Sequence, residues 1–203
     1  MTIENFPCLL LDPPWLERGA GEIKRGADRH YPLLATHDIP RVVFTCPLWR
    51  PAPNAHLYLW ATNNFLEAGL FVMHALGFRY VTNVAWVKGD ESEDESLALG
   101  EPGSVDLQIG LGQYFRGQHE LLLFGVRGSG LDACSPLRNL GSVIVARRGQ
   151  HSAKPVESYE RIEARSVGPR AEIFARSERA GWTSWGNELP AQTQITSLAQ
   201  EGA

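Results

Sequence analysis

The run Cys8-Leu9-Leu10-Leu11 passes directly into Asp12-Pro13-Pro14-Trp15. Four apolar residues with no polar alternation suit a strand buried on both faces, and two consecutive prolines, which cannot donate ladder hydrogen bonds, end it there. Similar apolar runs recur at residues 55–61, 120–126, 142–146 and 171–175, and residues 79–87 are rich in branched and aromatic side chains. Between them, residues 65–76 carry a helical pattern that stops at Gly77. A second helix is predicted over residues 155–165, with proline at its start and Glu157 and Glu160 in its early turns. Strands alternating with helices predict an α/β domain whose mainly parallel sheet is covered on both faces. In such sheets ligands bind beyond the carboxyl ends of the strands, which is where Asp12 through Trp15 fall.

A length of 203 residues fits one domain, taken as residues 1–188 with a flexible tail over 189–203. The composition, 43% hydrophobic and 21% charged, excludes global disorder and fibrous classes. No apolar run reaches the roughly 18 residues of a membrane span, and the first residues lack the basic start and apolar stretch of a secretory signal. A cytoplasmic protein without membrane contact is expected. Cys8, Cys46 and Cys134 are far apart and never form C-x-x-C, and the histidines show no ligand spacing, so buried thiols and no metal are expected.

The formal charge of -4 argues at first against a nucleic-acid partner. Residues 89–106, however, hold seven acids and no base, and read as a long solvated loop. Without them 19 bases face 16 acids, so the body of the domain can still present a local basic surface.

A carboxylate and a carbonyl exposed by a proline turn accept hydrogen bonds from an amino group, and an indole stacks on a flat base. Asp12, Pro13 and Trp15 therefore make an acceptor pair plus a stacking plate, although the same four residues also suit a merely rigid turn. The exocyclic amine of adenine is a poor nucleophile because its lone pair is delocalised into the ring. Acceptors on its N–H groups would raise the electron density on nitrogen in the transition state.

The ordered blocks Asp12-Pro13-Pro14-Trp15, Tyr31-Pro32-Leu33, Leu57-Tyr58-Leu59-Trp60-Ala61-Thr62-Asn63 and Trp86-Val87-Lys88 are followed by His119-Glu120-Leu121-Leu122-Leu123-Phe124-Gly125-Val126-Arg127-Gly128. The closing blocks are His151-Ser152-Ala153-Lys154-Pro155, Glu172-Ile173-Phe174-Ala175-Arg176 and Gly181-Trp182-Thr183-Ser184-Trp185-Gly186-Asn187-Glu188. In this order they resemble the family that transfers a methyl group from S-adenosylmethionine to the N(6) amino group of adenine. That family includes the catalytic subunit of the eukaryotic messenger-RNA adenosine methyltransferase and many bacterial and phage DNA enzymes. The resemblance implies an α/β, Rossmann-like class I methyltransferase in permuted motif order, with the catalytic motif first and most of the cofactor half last.

The resemblance further implies that Asp12 and Pro13, with Pro14, hold the target amine and that Trp15 stacks on the flipped adenine. Lys154, with Ser152 beside it, would pair with the methionine carboxylate of S-adenosyl-L-methionine. Glu172, Arg176, Asn187 and Glu188 would surround its ribose and adenine, and Phe174 would either contact the cofactor or pack in the core. Arg18, Lys24, Arg25, Arg29, Tyr31, Lys88, Arg116 and His119 are the candidates for nucleic-acid contact. Ala153 stands where the messenger-RNA enzyme has a histidine, which removes one cofactor-side hydrogen bond. DNA is the expected substrate, with RNA as the nearest rival and a noncatalytic nucleic-acid-binding subunit as the other. A homodimer or a second methyltransferase-like subunit would supply the specificity that a missing recognition domain leaves to loops.

Overall fold

The structure is a computed structural model that describes residues 5–16, 33–91, 105–110, 114–137, 139–149 and 153–189. Its strands are β1 (Phe6–Leu11), β2 (Pro51–Ala61), β3 (Arg79–Glu91), β4 (Val105–Leu107), β5 (His119–Arg127), β6 (Val143–Ala146), β7 (Arg170–Ile173) and β8 (Trp182–Trp185). The helices are α1 (Asp38–Thr45), α2 (Leu66–Ala75) and α3 (Val156–Arg165). The strands lie in the order β4-β3-β5-β2-β1-β7-β8, and β6 also pairs with β3. β8, β7, β1 and β2 are parallel neighbours, and β6 is parallel to β3. β5 is antiparallel to both β2 and β3, and β4 to β3. The result is the expected Rossmann-like domain with a mainly parallel sheet, in which the first strand of the chain sits at the centre and the last two lie beside it.

The uninterrupted apolar strands divide by parity, because successive side chains leave a strand on opposite faces. Leu9, Leu11, Leu57, Leu59 and Ala61 join the core under α1 and α2 with Val43, Val72 and Met73. Cys8, Leu10, Tyr58 and Trp60 join the other core with Trp86, Leu122, Ile144 and Ile162 of α3. A central strand sandwiched in this way needs apolar residues at every position, which is why β1 reads as a continuous run. Cys8 and Cys46 are buried free thiols, pushed up to about 12 and about 11 by burial, and Cys134 is half-buried. No helix among the described residues is long and apolar enough to cross a membrane.

Several expectations need correction. The ends of the acidic segment are not loop: Gly89 to Glu91 extend β3 and pair with Val105 to Leu107 of β4, because ladder hydrogen bonds use the backbone whatever the side chains carry. Residues 92–104 lie outside the described residues. Helix α1 was not anticipated from Asp38-Ile39-Pro40-Arg41-Val42-Val43-Phe44-Thr45, whose β-branched residues and proline obscure a helix that buries Ile39, Pro40, Val42 and Val43. β7 stops at Ile173, since Phe174 turns into the left-handed region at φ 68°. Leu189, assigned to the tail, is buried, and its N–H bonds to the Gly186 carbonyl; residues 190–203 lie outside the described residues.

Gly186 shows how tightly the ends of β7 and β8 are joined. A Cβ there would run into the Ala175 carbonyl and lie 2.7 Å from its amide nitrogen. Backbone cannot yield as a side-chain tip does, so Gly186→Ala is expected to cost about 1–3 kcal/mol. Thermal unfolding beside a Gly181→Ala variant checks this, since nothing lies within 4 Å of a Cβ at Gly181 and its cost comes only from a φ of 80°.

Candidate active site

The site assembles at the carboxyl edge of the parallel strands. Asp12 follows β1 directly, and its turn is fixed by backbone bonds: the Trp15 N–H donates to the Pro13 carbonyl at 2.9 Å and the Leu34 N–H to the Pro14 carbonyl at 2.8 Å. Lys154 enters just before α3 and places Nζ 3.1 Å from Asp12 Oδ1 and 3.0 Å from Glu120 Oε2. Arg176, three residues past β7, brings a guanidinium nitrogen within 3.5 Å of Asp12 Oδ2. Lys88, on the outer part of β3, closes the chain of charges with Nζ 2.5 Å from Glu120 Oε1. All five side chains are largely sheltered, the most open being Arg176 at 24%.

Glu120 was absent from the sequence candidates although it lies at the centre of this cluster. It stands at the start of β5, and because β5 runs antiparallel between β2 and β3, its beginning meets their carboxyl ends. An acid before a Leu-Leu-Leu run reads as the solvent boundary of a strand; only the topology turns it inward. Burial raises the Glu120 carboxyl, but the Lys154 and Lys88 ammoniums outweigh burial and hold it down at about 2. Lys154 is likewise penalised by burial, yet Asp12 and Glu120 push its affinity for a proton above the ordinary value. Lys88 goes the other way: burial lowers it, and one carboxylate does not offset burial with Arg148 and Lys154 also nearby.

Two indoles form the apolar wall of the cluster. The Lys154 ammonium lies 5.1 Å from the centroid of Trp60 and the Lys88 ammonium 5.2 Å from that of Trp86. The rings meet edge to face at 6.0 Å, and Trp86 is tied by Nε1 to the Ala146 carbonyl at 2.9 Å. A ring face attracts a cation more strongly where water is excluded. Trp60 Nε1 and Thr62 Oγ1, at the end of β2, are among the buried polar atoms that have no protein partner within the described residues.

Trp15 departs from the expected stacking plate. Its ring is 9% exposed and lies against Phe65 at 5.3 Å and 18°, and its Nε1 donates to the Trp60 carbonyl at 3.1 Å. The indole is used inside the protein, bracing the turn that presents Asp12. Phe174 likewise belongs to the core: it is 7% exposed and packs edge to face on Trp185 at 6.2 Å. Lys88 stands in the charged cluster, with its ammonium held by Glu120. Arg116 and His119 are exposed on the segment leading into β5, while Asn187 and the exposed Glu188 follow β8 on the same edge as Asp12. Ser152, Arg18, Lys24, Arg25, Arg29 and Tyr31 lie outside the described residues.

Glu172, on β7, is 5% exposed and accepts a hydrogen bond from the Tyr159 hydroxyl at 2.8 Å. Burial lifts its carboxyl to about 7; the Tyr159 bond opposes this and the Asp12 carboxylate adds to it. An unfolded glutamate ionises near 4.5, so the folded chain binds this proton more tightly. Its contribution to stability is complete below about pH 4.5 and is lost as the pH rises through about 7. Glu172→Gln, which keeps an acceptor for Tyr159, is expected to stabilise the fold at pH 8 by up to about 3 kcal/mol and to leave it unchanged at pH 4.5. Denaturant unfolding at the two pH values checks this.

Comparison with known proteins adds the lineage. The chain is 30% identical over 194 residues to the N(6)-adenosine-methyltransferase MT-A70-like protein of Arabidopsis thaliana, covering 91% of this chain and 24% of that protein. It is 26% identical over 197 residues to the N(6)-adenosine-methyltransferase catalytic subunit METTL3 of Homo sapiens, with 91% and 28% covered. It is also 26% identical over 210 residues to the Type II methyltransferase M.MunI of a Mycoplasma species, with 92% and 79% covered. The chain thus spans about a quarter of the plant and human proteins and most of the mycoplasmal one. The model of the MT-A70 family matches residues 6–188, which include every element from β1 to β8, and the chain belongs to that family.

Proposed function

We propose that the chain transfers a methyl group from S-adenosylmethionine to the exocyclic N(6) of adenine in DNA. The observation that carries this reading is the convergence of Asp12, next to the Pro13 carbonyl in sequence, with Lys154, Arg176 and Glu120 at the carboxyl edge of the sheet. The donor set fits the cofactor. Lys154 and Arg176 are cations suited to its carboxylate, Asp12 and Glu120 are carboxylates suited to its ammonium, and Glu172 suits a ribose diol. Asn187 and Glu188 follow β8 on the same edge, where they would meet its adenine, and Thr62 Oγ1 offers a further buried polar group.

When bound, S-adenosylmethionine supplies a methyl group already activated by a sulfonium, so neither a metal nor a covalent intermediate is needed. The chain's own residues align the amine. The Asp12 carboxylate accepts one N–H of the target amine. The Pro13 carbonyl, which uses one lone pair on the Trp15 N–H, accepts the other. These acceptors concentrate electron density on nitrogen as the bond forms, and the rigid proline turn holds them in place. The braced indole of Trp15 keeps the turn from collapsing into the pocket.

DNA is proposed as the substrate on the similarity to the Type II methyltransferase, and the similarity to the N(6)-adenosine-methyltransferases makes RNA the rival reading. A homodimer, or pairing with a second methyltransferase-like subunit, is the partner arrangement proposed with it. The test is to incubate the purified protein with isotopically labelled S-adenosylmethionine and matched DNA and RNA pools, digest them and identify the nucleosides by mass spectrometry. Labelled N(6)-methyladenine in DNA is the expected result. Label in RNA alone would select the RNA reading, and no transfer despite cofactor binding would select a noncatalytic role.

A further inference from the structure

Next to the charged cluster lies a surface that the methyl-transfer chemistry does not use. Tyr114 is 98% exposed and Phe115 is 90% exposed, more than any other large hydrophobic residue described, and Ile109 nearby is 72% exposed. Their segment is anchored to the site. The Gln108 N–H donates to the Lys88 carbonyl and the Lys88 N–H to the Gln118 carbonyl, both at 2.7 Å. Arg148, in the turn after β6, donates its backbone N–H to Gln108 Oε1 at 3.3 Å, and its guanidinium sits against Gly110 beside the Gly117 carbonyl. Two adjacent aromatic rings are therefore held in water on a segment tied to Lys88 of the cluster, with Arg116 next to them in sequence and Arg148 against the same segment at Gly110 and Gly117.

Hydrated rings in sequence with a cation, on a segment tied to a site, fit a ligand with flat faces and negative charge. Charge alone would hold a polyanion weakly here, because the whole chain is at -4. Stacking must supply the difference, and stacking needs open base faces, which a duplex conceals. We propose that Tyr114 and Phe115 form a stacking platform for unpaired bases flanking the target adenine, with Arg116 and Arg148 on the adjoining phosphates, so that the chain takes its substrate as a single strand. This inference rests on the nucleic-acid reading above.

The test compares the wild type with Tyr114→Ala/Phe115→Ala and with the ring exchange Tyr114→Phe/Phe115→Tyr. Binding is read by fluorescence anisotropy on a labelled single-stranded DNA with one central adenine and on its duplex. A second single strand carries 2-aminopurine beside that adenine, and cofactor binding is titrated separately. The alanine pair should weaken single-strand binding by roughly tenfold or more per ring, abolish the quenching of 2-aminopurine and leave cofactor affinity unchanged. The ring exchange should restore both signals. Unchanged single-strand affinity in the alanine pair would overturn the platform alone. So would wild-type preference for the duplex, or an alanine pair that turns a sedimenting dimer into a monomer without loss of DNA affinity, since the face would then belong to a second copy. A wild type that binds cofactor but no DNA or RNA would instead remove the nucleic-acid reading, and the platform with it.

Discussion

Lys154→Met is expected to lower the stability of the fold by about 3–5 kcal/mol and to weaken cofactor binding by roughly a hundredfold. Methionine keeps most of the side-chain volume, so the loss is one of charge. In the folded chain the Lys154 ammonium lies between the carboxylates of Asp12 and Glu120, at 3.1 and 3.0 Å. Removing it leaves Glu120 with Lys88 alone and Asp12 with the longer 3.5 Å contact to Arg176. A sheltered carboxylate that has lost one of its two cations keeps the cost of its desolvation and gains less in return. The two losses separate in Lys154→Met/Asp12→Asn: Glu120 keeps Lys88, so neutralising Asp12, whose remaining contact to Arg176 is long and wet, should recover part of the stability, whereas cofactor affinity should stay low because the cation for its carboxylate is still missing. Denaturant unfolding and calorimetric titration with the cofactor or its demethylated product read the two effects. An unchanged unfolding midpoint in the single variant would show that water solvates the cluster, and unchanged cofactor affinity would remove Lys154 from the cofactor site.

The same cluster shows what a sequence discloses and what it hides. β1, β2 and β5 were legible because a strand buried on both faces must be apolar at every position, and short apolar runs bounded by turn residues mark such strands. Asp12 was legible because Pro13 and Pro14 end the strand and so place it on the binding edge. Lys154 and Arg176 came from the ordered motifs, since a lone lysine before a helix or an arginine after a strand carries no chemistry of its own. Glu120 stayed hidden because its role depends on β5 being inserted antiparallel between β2 and β3, and strand order leaves no mark on a local stretch of sequence. Trp15 and Phe174 show a related limit. An aromatic residue beside a motif looks free to stack, and only the packing shows that Phe65 and Trp185 already cover these rings. β4 was missed because its partner is the acidic end of β3, where charge suggested solvent while the backbone was still pairing.

Asp12→Asn is the complementary experiment, because it should cost catalysis far more than it costs the fold. The substitution keeps the shape of the side chain, and Glu120 continues to hold Lys154. Lys154 loses its 3.1 Å partner but keeps Glu120, and Arg176 loses a longer, wetter contact at 3.5 Å, so stability should fall by about 1–3 kcal/mol, less than in Lys154→Met. The reacting amine is affected far more. A carboxylate offers only acceptors, whereas the asparagine amide presents a donor where the amine also presents a donor, and its one remaining carbonyl is a weaker acceptor than an ionised oxygen. Loss of one oriented charged group at a reacting atom costs about 10²–10³ in kcat. Single-turnover methyl transfer at saturating cofactor should fall by that amount, with KM for the DNA shifting only a few-fold, since the phosphates and flanking bases are held elsewhere. Asp12→Ala should lose at least as much rate, and glutamate at this position should not rescue it, because its extra methylene moves the acceptor away from the Pro13 carbonyl that completes the pair. Should Asp12→Asn instead retain its rate and acquire a high KM, the carboxylate would be a binding group for cofactor or base, and the electron-releasing role would have to pass to the Pro13 carbonyl alone.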